Sequence, residues 1–182
     1  ARLLESRGYR IGIIAQPDWK TPDDFRRFGR PRLAFLVTAG NVDSMVNHFT
    51  PARHRRKKDV YSPGGVTGRR PDRAVTVYAQ CVRGAYPGIP VIIGGLEASL
   101  RRFAHYDYWS DTVRKSVLLD SHADLLVYGM GERAVLDIAE LLSDGVHVRS
   151  ITDVRGTVYR RKAPSGRPGP GSGRRHGHVS GR

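Results

Sequence analysis

Four runs along the chain are apolar with almost no polar interruption: RIGIIAQ (10–16), LAFLVTA (33–39), IPVIIGG (89–95) and ADLLVYG (123–129). None alternates apolar with polar residues, as a strand with one wet face would. Continuous Val, Ile and Leu instead predict strands covered on both faces, hence a mostly parallel sheet. Helical periodicity fills the intervals. DDFRRFG (23–29) is short and stops at Gly29. PDRAVTVYAQCVRGAYPG (71–88) opens with Pro71 in its first turn and ends before Pro87-Gly88. In GERAVLDIAELLSDG (131–145), Val135, Ile138, Ala139 and Leu142 fall at i, i+3, i+4 and i+7, and Gly145 stands where a C-cap belongs. Strands alternating with helices predict an α/β fold, with an open, mostly parallel sheet and helices on both faces.

Residues 1–7 read as the last turns of a helix whose preceding strand is not among these residues. In a flavodoxin-like order, 2-1-3-4-5, that first strand would lie between RIGIIAQ and LAFLVTA, leaving those two about twice the ~4.8 Å strand spacing apart. The 182-residue chain alone is therefore expected to be unstable. At the other end, KAPSGRPGPGSGRRHGHVSGR (162–182) has six Gly and three Pro and almost nothing apolar. Such composition cannot bury enough surface to offset ordering, so a disordered basic tail is expected after a domain spanning 1–161. A late start and a frameshift near residue 162 would explain both ends.

Charge changes the picture less than its total implies. The formal net charge is +14, but residues 51–73 contribute +6 and the tail +5, leaving +3 for the rest. The basicity sits in one loop and one tail. ARHRRKKDVYSPGGVTGRRPDR would bind phosphate non-specifically, or it is a solvated insertion. No run approaches the roughly 18 apolar residues of a membrane span, and no signal-peptide pattern opens the chain, so a cytoplasmic location without membrane contact is expected. The single cysteine, Cys81, cannot build a multi-thiolate metal site by itself.

Ligands of open parallel sheets sit beyond the carboxyl ends of the strands. The loops that follow the predicted strands carry Gln16-Pro17-Asp18-Trp19, then Asn41, Asp43 and Ser44, then Gly94, Gly95, Glu97 and Ser99, then Gly129, Gly131 and Glu132. These four loops are expected to converge, with glycines letting backbone approach a ligand. The third continues into Arg101, Arg102, His105, Tyr106, Asp107, Tyr108, Trp109, Ser110 and Asp111. A His–Asp pair there suits general acid–base work, and His105, Asp107 and Asp111 also have the chemistry of a metal site. The bland alternative is a helix or loop that packs Tyr106, Tyr108 and Trp109 on the core. No GxSxG elbow and no GK[ST] phosphate loop is present.

GYRIGIIAQPDW, VTAGNVDSMVNHFT, YSPGGVTGRRPDRAVTVYAQ, PVIIGGLEASLRRFAHYDYWSDTVRKSVLLDSHADLLVYGMGE and ITDVRG cover nearly all of residues 8–156. In these stretches the chain resembles the N-terminal region of the YgiQ-type radical SAM proteins, an uncharacterised family. The resemblance implies a cobalamin-binding-like, flavodoxin-type domain followed by a radical SAM barrel, its natural partner. In that barrel a CxxxCxxC motif holds a [4Fe–4S] cluster that reductively cleaves S-adenosylmethionine. The motif is not in this chain, and residues 162–182 do not resemble the family's continuation. Cobalamin binding is not expected either: its DxHxxG lower-ligand pattern belongs to a first strand–helix loop that is not among these residues, and His105 and His122 stand in other contexts. The expectation is a fragment of a radical SAM enzyme of unknown substrate, forming a cleft wall in which Glu97, Arg101, His105, Asp107 and Asp111 make contacts. The alternatives are a nucleic-acid-binding module using residues 51–73 and the tail, and an inactive truncation.

Overall fold

The computed structural model describes residues 1–161; the tail expected after them lies outside the described residues. In chain order the elements are α1 (Arg2–Glu5), α2 (Asp23–Arg26), β1 (Phe35–Thr38), α3 (Ser44–His48), α4 (Ala74–Ala85), β2 (Val91–Gly94), α5 (Gly95–Leu100), β3 (His105–Asp107), β4 (Thr112–Arg114), α6 (Val117–Asp120), β5 (Leu125–Val127), α7 (Glu132–Ser143) and β6 (Thr157–Tyr159). The main sheet runs β1-β2-β5-β6 and stays open. β1, β2 and β5 are parallel, with Phe35 opposite Val91 and Ile92 opposite Leu125, while β6 closes the far edge antiparallel to β5.

Strand alternation divides the apolar runs between two cores. Val37, Val91, Ile93 and Leu126 point to one face, where Val75, Tyr78, Ala79 and Val82 of α4 meet them together with Phe25, Val117 and Leu118. Ile92, Leu125 and Val127 point to the other, against Ala134 and Ile138 of α7, Val148 and Ile151. Both faces of β2 and β5 are thus covered, which is why their sequences do not alternate. Full burial of a side chain such as Ile93 contributes about 1.5–3 kcal/mol.

Three expectations change. Residues 10–16 form no strand: Ile13 is 66% exposed, the segment pairs with no neighbour, and Gln16 turns into a left-handed conformation. An apolar run needs an adjacent strand to complete its hydrogen bonds, and no strand among the described residues pairs with this one. Helix α4 starts at Ala74 rather than in a turn containing Pro71, because Arg73 adopts φ 53 and breaks the helical path. Finally, HYDYWSD is neither helix nor plain loop. It begins the two-stranded hairpin β3–β4, with His105 opposite Arg114 and Asp107 opposite Thr112. No helix among the described residues is long and apolar enough to cross a membrane.

Candidate functional site

The carboxyl ends of β1, β2 and β5 open into a cleft of about 190 Å³ lined by Leu36, Thr38, Ile92, Gly94, Gly95, Val127, Gly129, Gly131 and Val135. Its glycines are there for space. Gly95 has φ +82, and a Cβ on it would overlap Thr38 Oγ1. A Cβ on Gly131 would lie 2.7 Å from Val127 Cγ1. Ser99 fastens the two sides: its hydroxyl donates to Gly95 O and accepts from Gly129 N at 3.2 Å. The ends of β1, β2 and β5 meet at this cleft, while Asn41 and Glu132 are exposed and not part of its lining. Gln16 instead reaches the basic loop, donating to Tyr61 O and Ser62 Oγ.

The charged candidates sit behind this lining. Glu97 is 2% exposed and accepts Ser44 N at 2.8 Å and Val75 N at 3.0 Å. Its two oxygens therefore serve the amino ends of α3 and α4, whose first amides have no partners within their own helices. Ser44 Oγ accepts Ala74 N at 3.0 Å. Asp43 caps α3 through Met45 N and Val46 N and pairs with Arg101. Burial lowers the Arg101 pKa below its usual value, with the Asp107 charge opposing. Arg102 donates to Ser99 O and lies over the Phe103 and Tyr128 rings.

The hairpin residues face different ways. Asp107 is buried and receives Arg73 and the Ser110 hydroxyl. Burial pushes its carboxyl up, but those bonds and the Arg73 charge outweigh it and hold the group below the ordinary carboxylate range. Tyr106 points to the opposite side of β3, is 58% exposed and donates to Asp111. His105 is half-buried, with Nδ1 at 3.1 Å from Phe103 O and Nε2 without a partner among the described residues. Because 105 and 107 lie on one face while Asp111 meets Tyr106 on the other, these three do not converge, and among the described residues no three or more His, Cys, Asp or Glu side chains come together as metal ligands. Trp109 packs at 5.2 Å from Phe49 and edge-on to Tyr108. His122, at the amino end of β5, lies on the sheet edge opposite the cleft.

Sequence reasoning missed a second polar group, inside the basic loop. Asp59, 1% exposed, accepts from Asn47, Tyr61 N and Ser62. His48 Nδ1 lies 2.6 Å from Asp72, which also takes Arg55. Arg70, 4% exposed, donates to Ala39 O at 2.8 Å and so ties the loop to the end of β1. Tyr78 closes the group from α4, its phenol pushed by burial to about 12. The signal was available: two lone aspartates among eight basic residues have to be paired if the segment is packed. Residues 51–73 are therefore anchored at Asp59, Ser62 and Arg70, while 51–58 are exposed to solvent.

Cys81 lies half-buried on α4, its thiol donating to Trp19 O and its pKa raised by burial. A [4Fe–4S] cluster takes several cysteine thiolates, so this donor set does not fit one.

Comparison with known proteins places the chain in context. Residues 1–177 match the family model described as "Radical SAM N-terminal". A UPF0313 protein of Thermotoga maritima is 60% identical over 156 residues, covering 86% of this chain and 28% of its own length. UPF0313 proteins of Clostridium perfringens and Pseudomonas aeruginosa are each 57% identical, over 87% and 91% of this chain and 24% and 22% of their own lengths. The chain thus spans about a quarter of the curated relatives it matches. No solved structure matches.

Proposed function

From the premise that this chain belongs to the Radical SAM N-terminal family, we propose that it forms the substrate- or cofactor-facing cleft domain of a radical SAM enzyme. The observation that carries this reading is the glycine-lined cleft beyond β1, β2 and β5, its backbone fixed from behind by Glu97, Ser44, Asp43 and Arg101. The [4Fe–4S] cluster and S-adenosylmethionine of such an enzyme would belong to the remainder of the full-length protein, where the cluster supplies the electron for reductive cleavage. These residues initiate no reaction. Their part is to enclose a ligand against an apolar floor, offer the backbone amide of Gly95, and exclude water when the mouth is covered.

The cover is the radical SAM barrel, an intramolecular partner. Leu96 and Leu100 stand one turn apart on the outer side of α5, and with Leu36, Phe103 and Met130 they leave large apolar side chains exposed around the cleft mouth. An apolar collar of this kind marks an interface rather than a wetted surface. Hydrogen exchange checks the reading. In the full-length protein the amides of α5 and of residues 128–131 are expected to exchange far more slowly than in the isolated chain. Equal rates would refute it.

A further inference from the structure

We propose that residues 49–58 and the tip of the β3–β4 hairpin bind single-stranded nucleic acid, with Tyr108 and Trp109 as the stacking platform and Arg53, Arg56, Lys57 and Lys58 as phosphate contacts. The surface belongs to different elements from the cleft and does not depend on how the cleft is read.

Charge is the first observation. Arg53, Arg56, Lys57 and Lys58 are all exposed, and none is in an ion pair among the described residues. The nearby acids are engaged elsewhere: Asp59 is buried, Asp72 holds His48 and Arg55, Asp107 holds Arg73, and Asp111 holds the Tyr106 hydroxyl. The strip therefore keeps its positive charge and complements a polyanion.

Geometry is the second. The Tyr108 hydroxyl donates to Pro51 O at 2.7 Å, which ties the hairpin tip to the loop, yet 45% of the residue stays exposed. Arg53 lies over the Tyr108 ring at 4.4 Å and Arg55 over the Phe49 ring at 4.6 Å, with Trp109 between the two rings. Arg53 reaches this position through a left-handed backbone, φ 61, held by its amide bonding to Thr50 O. A non-glycine residue in that conformation costs about 1 kcal/mol, and such strain gathers where a side chain must be aimed. The exposed Tyr108 ring, with half-buried Trp109 beside it and a guanidinium over its face, suits bases stacked between phosphates, irrespective of sequence. A lipid surface would meet the same charge, but rings anchored through a hydroxyl to a backbone carbonyl are poorly placed to insert.

The test uses the protein at the full length of its reading frame and a fluorescein-labelled single-stranded RNA of mixed sequence, about 20 nucleotides long. Anisotropy is expected to show binding that weakens with salt. In a Lys57→Gln/Lys58→Gln variant the log–log salt slope should shrink by about 1.4. Tyr108→Leu should weaken binding about tenfold while leaving the slope in place. Tryptophan emission should be quenched on binding, and a Trp109→Phe variant should lose that quenching. A hairpin misfolded by Tyr108→Leu would show in near-ultraviolet circular dichroism, and Arg53→Gln then serves in its place with the same expectation. Absence of binding at low salt overturns the proposal. So does binding that heparin matches in affinity, without quenching and without sensitivity to Tyr108 or Arg53. Capture by anionic vesicles but not by RNA overturns it as well.

Discussion

Glu97 illustrates how much one carboxylate can organise. Its oxygens face amides at Ser44 and Val75, 53 and 22 residues away in sequence, so a single side chain fixes the start of two helices against the helix that carries it. Glu97→Gln would turn an amide N–H towards a backbone N–H and leave one donor unmet, at a cost of about 2 kcal/mol. A depressed thermal midpoint is the expected readout, and an unchanged midpoint would mean that these bonds do not matter to the fold. Asp59 and Asp107 make a related prediction in pH. Burial raises each carboxyl, but hydrogen bonds and the neighbouring arginines outweigh it, so both folded values fall below the unfolded ones. Between the two values the unfolded chain binds more protons. The stabilisation is therefore complete above about pH 4–5 and fades as pH falls through the folded values. The near-ultraviolet signal of Trp109 should be lost on acidification in that range, and Asp107→Asn should remove part of the transition while lowering stability at neutral pH by about 2 kcal/mol.

Among the elements, glycines set the shape of the cleft. Gly95→Ala combines a left-handed backbone with a clash against Thr38, and is expected to lower stability by about 2 kcal/mol or more. Gly129→Ala also meets a left-handed backbone, at φ +68, but no neighbour within 4 Å, so its cost should stay near 1 kcal/mol. Chemical denaturation of the pair separates crowding from conformation. The same elements show what the chain betrays in advance. β1, β2, β5 and α7 were legible because burial on two faces, or on one helical stripe, writes a pattern that depends only on residues nearby. The start of α4 was not, because Pro71 and Asp72 answer to the loop: Asp72 serves His48 and Arg55 before the helix begins. β3 and β4 are three residues each and carry Tyr, Asp and Thr, too short and too polar for a periodic signal. Residues 10–16 show the reverse failure, an apolar run that pairs with no strand among the described residues. In the site, the cleft glycines could be placed from the strand ends, whereas the roles of Glu97 and Arg70 depend on contacts between distant segments.

At the scale of the molecule, β1 carries an edge unpaired among the described residues, with Leu36 49% exposed beside it, while Ile13, Phe28, Leu100 and Phe103 are all more than half exposed. An open, uncharged edge invites pairing with another copy. The 182-residue chain by itself is expected to melt broadly, bind apolar dyes and aggregate. A Leu36→Lys substitution should reduce light scattering without loss of helical signal. A sharp, reversible, cooperative melt of the unmodified chain would contradict this. Cys81 offers an internal clock for the same question. It is the only sulfhydryl in the sequence, sits on the helix that packs the larger core, and stays protonated at neutral pH because its surroundings disfavour the thiolate. Alkylation at that half-buried atom is therefore slow while α4 stays on the sheet and quickens when it lifts. Its rate, followed by mass spectrometry at this residue with and without the rest of the protein, would time how often this domain breathes open and how far the remainder slows it.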